Sequence, residues 1–248
     1  MIVSLPMAAA FVLAGLFFGS LATVLSHRLP QGQPVGMVRS RCPNCAAVLG
    51  PADLVPLLSW LFAGGRCRHC GQPISWRYPV IELATGLLFV IAWWQADGDF
   101  PLAVLLASTA FGLLVISVAD LEAGIIPDAM LLFLAPVAVV WRWYLGGDWL
   151  DAVSGAIVGM TVSYAVRWGF RRWRGKDGLG LGDVKFLGLA GFYLGLSGLG
   201  AYLSLSGILG VALGIGWRIA GRGPTIPFGP ALCVSLFLGL LFPDVLFL

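Results

Sequence analysis

Apolar residues along this chain come in long runs, separated by short polar or Gly/Pro-rich breaks. Runs of this kind are long enough to cross a hydrocarbon core about 30 Å thick at about 1.5 Å rise per residue. Eight are counted, near 6–26, 79–95, 101–118, 128–145, 150–170, 184–196, 200–219 and 227–248. The sixth and seventh are rich in glycine and other small residues, with a turn expected only at 198–200. Small residues are what close helix packing in lipid uses, so two tightly paired helices are expected there in preference to one re-entrant hairpin. The expected fold is an all-α polytopic membrane protein of about eight transmembrane helices with a small loop domain after the first.

Composition agrees with that pattern. The chain is 59% hydrophobic and 11% charged, against about 25% charged in an ordinary soluble domain. The first run has no basic residue before it and is long enough for a full crossing, so it reads as a retained anchor and not a cleaved signal peptide. With the amino terminus outside, fourteen of the fifteen lysines and arginines fall on the inner side, and only Arg142 falls outside. Asp97, Asp99, Asp148, Asp151 and Asp244 fall outside as well. The net charge of +3 is therefore a topology signal, and nucleic-acid binding is not expected.

Between the first two runs, residues 28–78 have a different character and hold four of the five cysteines, as Cys42-Pro43-Asn44-Cys45 and Cys67-Arg68-His69-Cys70. Two CxxC turns about twenty residues apart present four thiolates to one tetrahedral ion, with zinc the default. A pair of disulfides is the competing reading; an inner, reducing side argues against it. Such a closed site is structural, stapling a loop too small to hold a core. His69 is expected beside the ligands and not among them, and Cys233 as a small hydrophobe in the last run.

Ionisable groups within spans are costly, by roughly 2.5–3.5 kcal/mol on insertion scales, and each needs a reason. Glu82, Asp120, Glu122, Asp128 and Asp183 lie at or near the inner ends of runs. Asp128, after Pro127, suits a helix N-cap or first turn. Asp183 follows Gly178-Leu179-Gly180-Leu181-Gly182, where alternate glycines let the backbone approach a neighbour or a substrate strand closely. Its surroundings fit two roles: a helix cap, or one half of an acid–base pair with Asp120 at matching depth on another span. Two carboxyls brought within a few ångströms share one proton; the ionised one takes a proton from water and the neutral one donates to a carbonyl oxygen. Lys185 either assists that pair or reaches to the interface.

These residues resemble the type IV prepilin peptidases, membrane aspartyl proteases with a GxGD motif. The resemblance covers nearly the whole chain. It runs through Gly15-Leu16-Phe17-Phe18-Gly19-Ser20, His27-Arg28-Leu29-Pro30, both cysteine pairs with their flanks, Pro56-Leu57-Leu58-Ser59-Trp60-Leu61, Ile74-Ser75-Trp76-Arg77-Tyr78-Pro79 and Glu82. It continues through Asp120 before Ile126-Pro127-Asp128, Gly180-Leu181-Gly182-Asp183-Val184-Lys185, and Ile226-Pro227-Phe228-Gly229-Pro230.

The resemblance implies a catalytic pair, Asp120 and Asp183; the glycines themselves suggest that Gly180 and Gly182, with Lys185 beside them, lie near the substrate. It also implies prepilin or pseudopilin substrates of pilus and type II secretion systems, cut at the inner face of the bacterial inner membrane. In the family a second activity often follows, N-methylation from S-adenosylmethionine, and it is tied to the cysteine loop. Residues 1–95 would then be the methyltransferase part and 101–248 the peptidase bundle. Thr23 and Leu54 stand where asparagine is usual, and Asp177 where glutamate is usual. No residues for S-adenosylmethionine are legible, because no strand–glycine-loop–helix pattern occurs. Peptidase action alone, with the zinc loop for docking, is the alternative. A transporter would place charges at midplane in inverted repeats, and a zinc-stapled assembly scaffold would tolerate loss of both aspartates.

Overall fold

A computed structural model describes residues 5–36, 39–223 and 225–243. Among them are eight α-helices: α1 (Leu5–Arg28), α2 (Leu58–Phe62), α3 (Arg77–Gln95), α4 (Phe100–Ala123), α5 (Asp128–Tyr144), α6 (Trp149–Arg174), α7 (Leu181–Ile219) and α8 (Gly229–Leu241). Five of these, α1, α3, α4, α6 and α7, are long and apolar enough to cross a membrane. The all-α fold with its four-cysteine loop is as expected. The first five expected spans correspond to α1, α3, α4, α5 and α6, and the last to α8; its expected residues 244–248, Asp244 with them, lie outside the described residues.

The chain divides into two compact units, Met1–Phe111 and Gly112–Leu248. In the first, α1 packs along α3. A Cβ on Gly19 would come within 2.5 Å of Glu82 Cα, so glycine at this position lets the two backbones meet. Phe11 stacks on Trp93 at 5.2 Å, and Ala22, Ile81, Phe89 and Ala92 complete the buried seam. Arg77 reaches across this seam to the Thr23 carbonyl and the Ser26 hydroxyl, at 3.1 and 2.8 Å.

In the second unit, α6 and α7 touch backbone to backbone, with Gly159 of α6 against the Leu187 carbonyl of α7. Tyr193 and Tyr202 of α7 are buried, and their hydroxyls donate to the carbonyls of Leu134 in α5 and Leu232 in α8, each at 3.4 Å.

The sixth and seventh expected spans form one 39-residue element, α7, which at 1.5 Å per residue is about 58 Å long, nearly twice a bilayer core. It breaks at Gly195, with φ 78° and ψ 173°, and not at 198–200. The reason lies on α5 and α6. Arg142 Nε donates to the Phe192 carbonyl at 3.0 Å, its guanidinium pairs with Asp151 at 3.3 Å, and Asp151 accepts the Ser197 amide at 3.2 Å. A cation thus meets the carbonyl end of one helical segment and an anion the amide end of the next, satisfying groups that the break orphans. A side chain at 195 would overlap the Asp151 carboxylate, so this glycine is the one that turns.

Candidate active site

Asp120 lies in the last turn of α4 and is buried. Its Oδ2 accepts the Gly229 amide at 2.7 Å. Gly229 is the first residue of α8 and is followed by Pro230, so the carboxylate satisfies one of the unpaired amides of a helix start. A Cβ on Gly229 would lie 2.7 Å from the same oxygen, which excludes every other residue there without displacement of the carboxylate.

Asp183 stands in the first turn of α7, and its Oδ2 accepts the Gly180 amide at 3.0 Å. It is therefore a helix cap, and it also lies within electrostatic reach of Asp120 and Arg167. Gly182 fits against the link between α4 and α5, where a Cβ would be 2.9 Å from Ile126 Cβ. The Ile126 side chain itself is buried. Lys185 Nζ donates to both carboxylate oxygens of Asp128 at 2.8 Å, tying the start of α7 to the start of α5. Asp128 is in the first turn of α5, but Pro127 occupies the N-cap and no side-chain cap bond forms; Lys185 is its partner.

The glycine segment before α7 has already used several polar groups. The Leu179 carbonyl accepts from Arg167, the Gly180 amide donates to Asp183, and the Gly180 carbonyl accepts the Val184 amide at 3.3 Å. Asp177 accepts from Arg167 at 2.6 Å. Sequence reasoning left Arg167, Ile126 and the Gly229–Asp120 bond without a role; the Gly-Pro pair opening α8 was the local sign of the last.

The other cluster lies in the first unit. The sulfurs of Cys42, Cys45, Cys67 and Cys70 all lie within 4.8 Å of one another, and none is in a disulfide. Cys42 Sγ and Cys70 Sγ are 3.9 Å apart. A tetrahedron with Zn–S bonds of about 2.3 Å has edges of about 3.8 Å, so the donor set fits zinc.

The two turns repeat each other at an offset of 25 residues. Cys42 and Cys67 donate to the carbonyls of Ala47 and Gln72, and accept from Ala46 and Gly71, both at positive φ. Arg41 bridges Val48 as Arg66 bridges Pro73. The amides of Cys45 and Asn44 lower the Cys42 thiol to about 6, and those of Cys70 and His69 lower Cys67. His69 is exposed and lies outside the cluster. Glu82 is buried and accepts the Leu57 amide at 2.8 Å, anchoring this loop to α3.

The profile of the bacterial peptidase A24 N-terminal domain matches residues 13–96, and that of the type IV leader peptidase family matches residues 107–215. The chain belongs to the type IV leader peptidase family. Its curated relatives include the prepilin leader peptidase/N-methyltransferase of Aeromonas hydrophila, 36% identical over 262 positions, covering 94% of this chain and 89% of its own. That of Stutzerimonas stutzeri is 33% identical, covering 95% and 92%, and that of Pseudomonas aeruginosa 32% identical, covering 94% and 89%. No solved structure matches the chain. The protein is a multi-pass membrane protein, with five helices long and apolar enough to cross a bilayer.

Proposed function

We propose that this protein is a membrane aspartyl endopeptidase that removes the leader peptide of type IV prepilins or pseudopilins and then methylates the new amino terminus. Asp120 and Asp183 are the catalytic pair. The observation that carries this is the presence, within one compact unit, of two carboxylates on different helices, each held through one oxygen by a backbone amide, with Gly182 beside Asp183 packed on Ile126 of the α4–α5 link that follows Asp120. Held this way, the ionised carboxyl takes a proton from water as it attacks the scissile carbonyl. The neutral carboxyl donates to that carbonyl oxygen.

Gly180 and Gly182 set the backbone beside the pair, and Lys185 acts through Asp128, since its ammonium is already committed there. Residues 101–248 form the peptidase bundle. The distribution of basic residues supports an amino terminus outside the inner membrane and an active site facing the cytoplasm.

The four cysteines hold structural zinc, whose role is to fix the loop that bears them; the relatives' names include a methyltransferase, and residues 1–95 are our reading of the part that would carry it. Among the described residues no strand–glycine-loop–helix cradle occurs, so no side chain is assigned to S-adenosylmethionine and no methyl-transfer step is derived.

The test is incubation of the detergent-purified protein with a prepilin and S-adenosylmethionine, read by intact-mass spectrometry. Leader loss and a further gain of one methyl mass are expected. Leader loss without that gain removes the methyltransferase, and an uncut prepilin removes the peptidase.

A further inference from the structure

Arg167 is the one arginine of the basic stretch at the end of α6 whose side chain is turned inward. Its side chain is 13% exposed, against 68% for Arg171, one helical turn further on. One guanidinium nitrogen donates to the Leu179 carbonyl and the other to Asp177 at 2.6 Å. On the same face of α6, the Phe170 ring fills the place a Cβ at Gly178 would need, 2.5 Å from its Cδ1, and Arg171 stands 3.8 Å from the second oxygen of Asp177. Three successive positions of the segment, 177, 178 and 179, are thus gripped by one helix face. The next position, Gly180, donates its amide to Asp183.

We infer that Arg167 is a positioning residue for the peptidase, fixing the 177–180 segment and through it the Asp183 carboxylate. The inference rests on the aspartyl reading above. A planar guanidinium grips a carbonyl and a carboxylate at once, with fixed geometry; an ammonium is a point charge and holds one at a time. The backbone contact of Gly159 with Leu187 holds α6 against α7 further along, so Arg167 closes the end of that helix pair at which Asp183 sits. Arg172 and Arg174, exposed on the same helix, carry the same charge without this geometry.

The experiment compares the full-length protein with Arg167→Gln, Arg167→Lys and Arg172→Gln, measuring kcat and KM on a prepilin and amide hydrogen exchange across residues 177–183. Arg167→Gln is expected to lose about ten-fold or more in kcat, with a much smaller change in KM, because misplacement of a reacting group acts on the chemical step. Exchange of the 178–183 amides is expected to rise. Arg167→Lys falls between the two, and Arg172→Gln behaves as wild type.

Wild-type kcat in Arg167→Gln, or a lowered kcat with unchanged exchange at 178–183, overturns the inference. So does full activity in Arg167→Lys, which would reduce the role to charge. If Arg167→Gln raises exchange along the whole chain, it has unfolded, and the Lys variant decides. Equal cleavage by wild type and Asp183→Asn would overturn the aspartyl reading itself, a result separable from any loss confined to Arg167.

Discussion

The two units each carry a segment with little regular structure, and they hold it by opposite means. In Met1–Phe111, the cysteine loop is tied chiefly to itself: two turns repeat the same backbone bonds 25 residues apart and converge four sulfurs, with Glu82 of α3 adding one anchor. In Gly112–Leu248, the glycine segment before α7 is tied to its neighbours, by Arg167 and Phe170 of α6 and by the packing of Gly182 on Ile126. With four sulfurs converging on one point, the first arrangement is expected to depend on one ion and to fail together with it. The second is spread over several modest contacts, so its failures should be graded and should appear as lost rate before lost fold.

Removing the metal is expected to have the largest effect. Structural zinc contributes about 10–16 kcal/mol in small peptides, so chelation or Cys42→Ser with Cys67→Ser should unfold the loop. Limited proteolysis is expected to open cleavage sites between residues 39 and 76, together with loss of one zinc per chain by elemental analysis. Because ligation needs thiolates, zinc should be retained at neutral pH and released as pH falls. Leader cleavage surviving loop unfolding would sharpen the contrast, and its loss would show that the units are coupled.

Gly229→Ala tests the second unit at the Asp120 carboxylate. The added Cβ displaces the Asp120 carboxylate, and a fall of about 10²-fold in kcat is expected with the protein still inserted and folded. Arg142→Met removes the cation at the α7 break and strands Asp151. A partly exposed pair of this kind is worth about 2 kcal/mol, less than a fully buried one, and should appear as a lowered midpoint in thermal unfolding. Breaking the exposed Asp128–Lys185 pair with Lys185→Met is expected to cost under about 1 kcal/mol, and cleavage should stay within a few-fold of wild type.

What was legible beforehand divides along physical lines. Helices and cysteine turns were readable because hydropathy and CxxC spacing are local features, and the glycine string marked the segment that leads into α7. Partners were not. Asp120 and Gly229 are 109 positions apart, and Lys185 and Asp128 are 57 apart, and no period in the chain encodes such pairings. The break in α7 shows the same limit: several glycines in that stretch could turn, and the choice of Gly195 depends on Arg142 and Asp151 from other helices. Asp177, read only as a departure from a glutamate, proved to be the acid that Arg167 grips.

The most direct test of the central claim, that Asp120 and Asp183 act as one catalytic unit, is to compare prepilin cleavage by Asp120→Asn, Asp183→Asn and the double variant. Residues that act together are strongly non-additive. The account predicts that each single variant loses about 10³-fold in rate or more and that the double variant is no worse. Modest single losses that multiply in the double variant, or processing at the wild-type rate by either one, would contradict it.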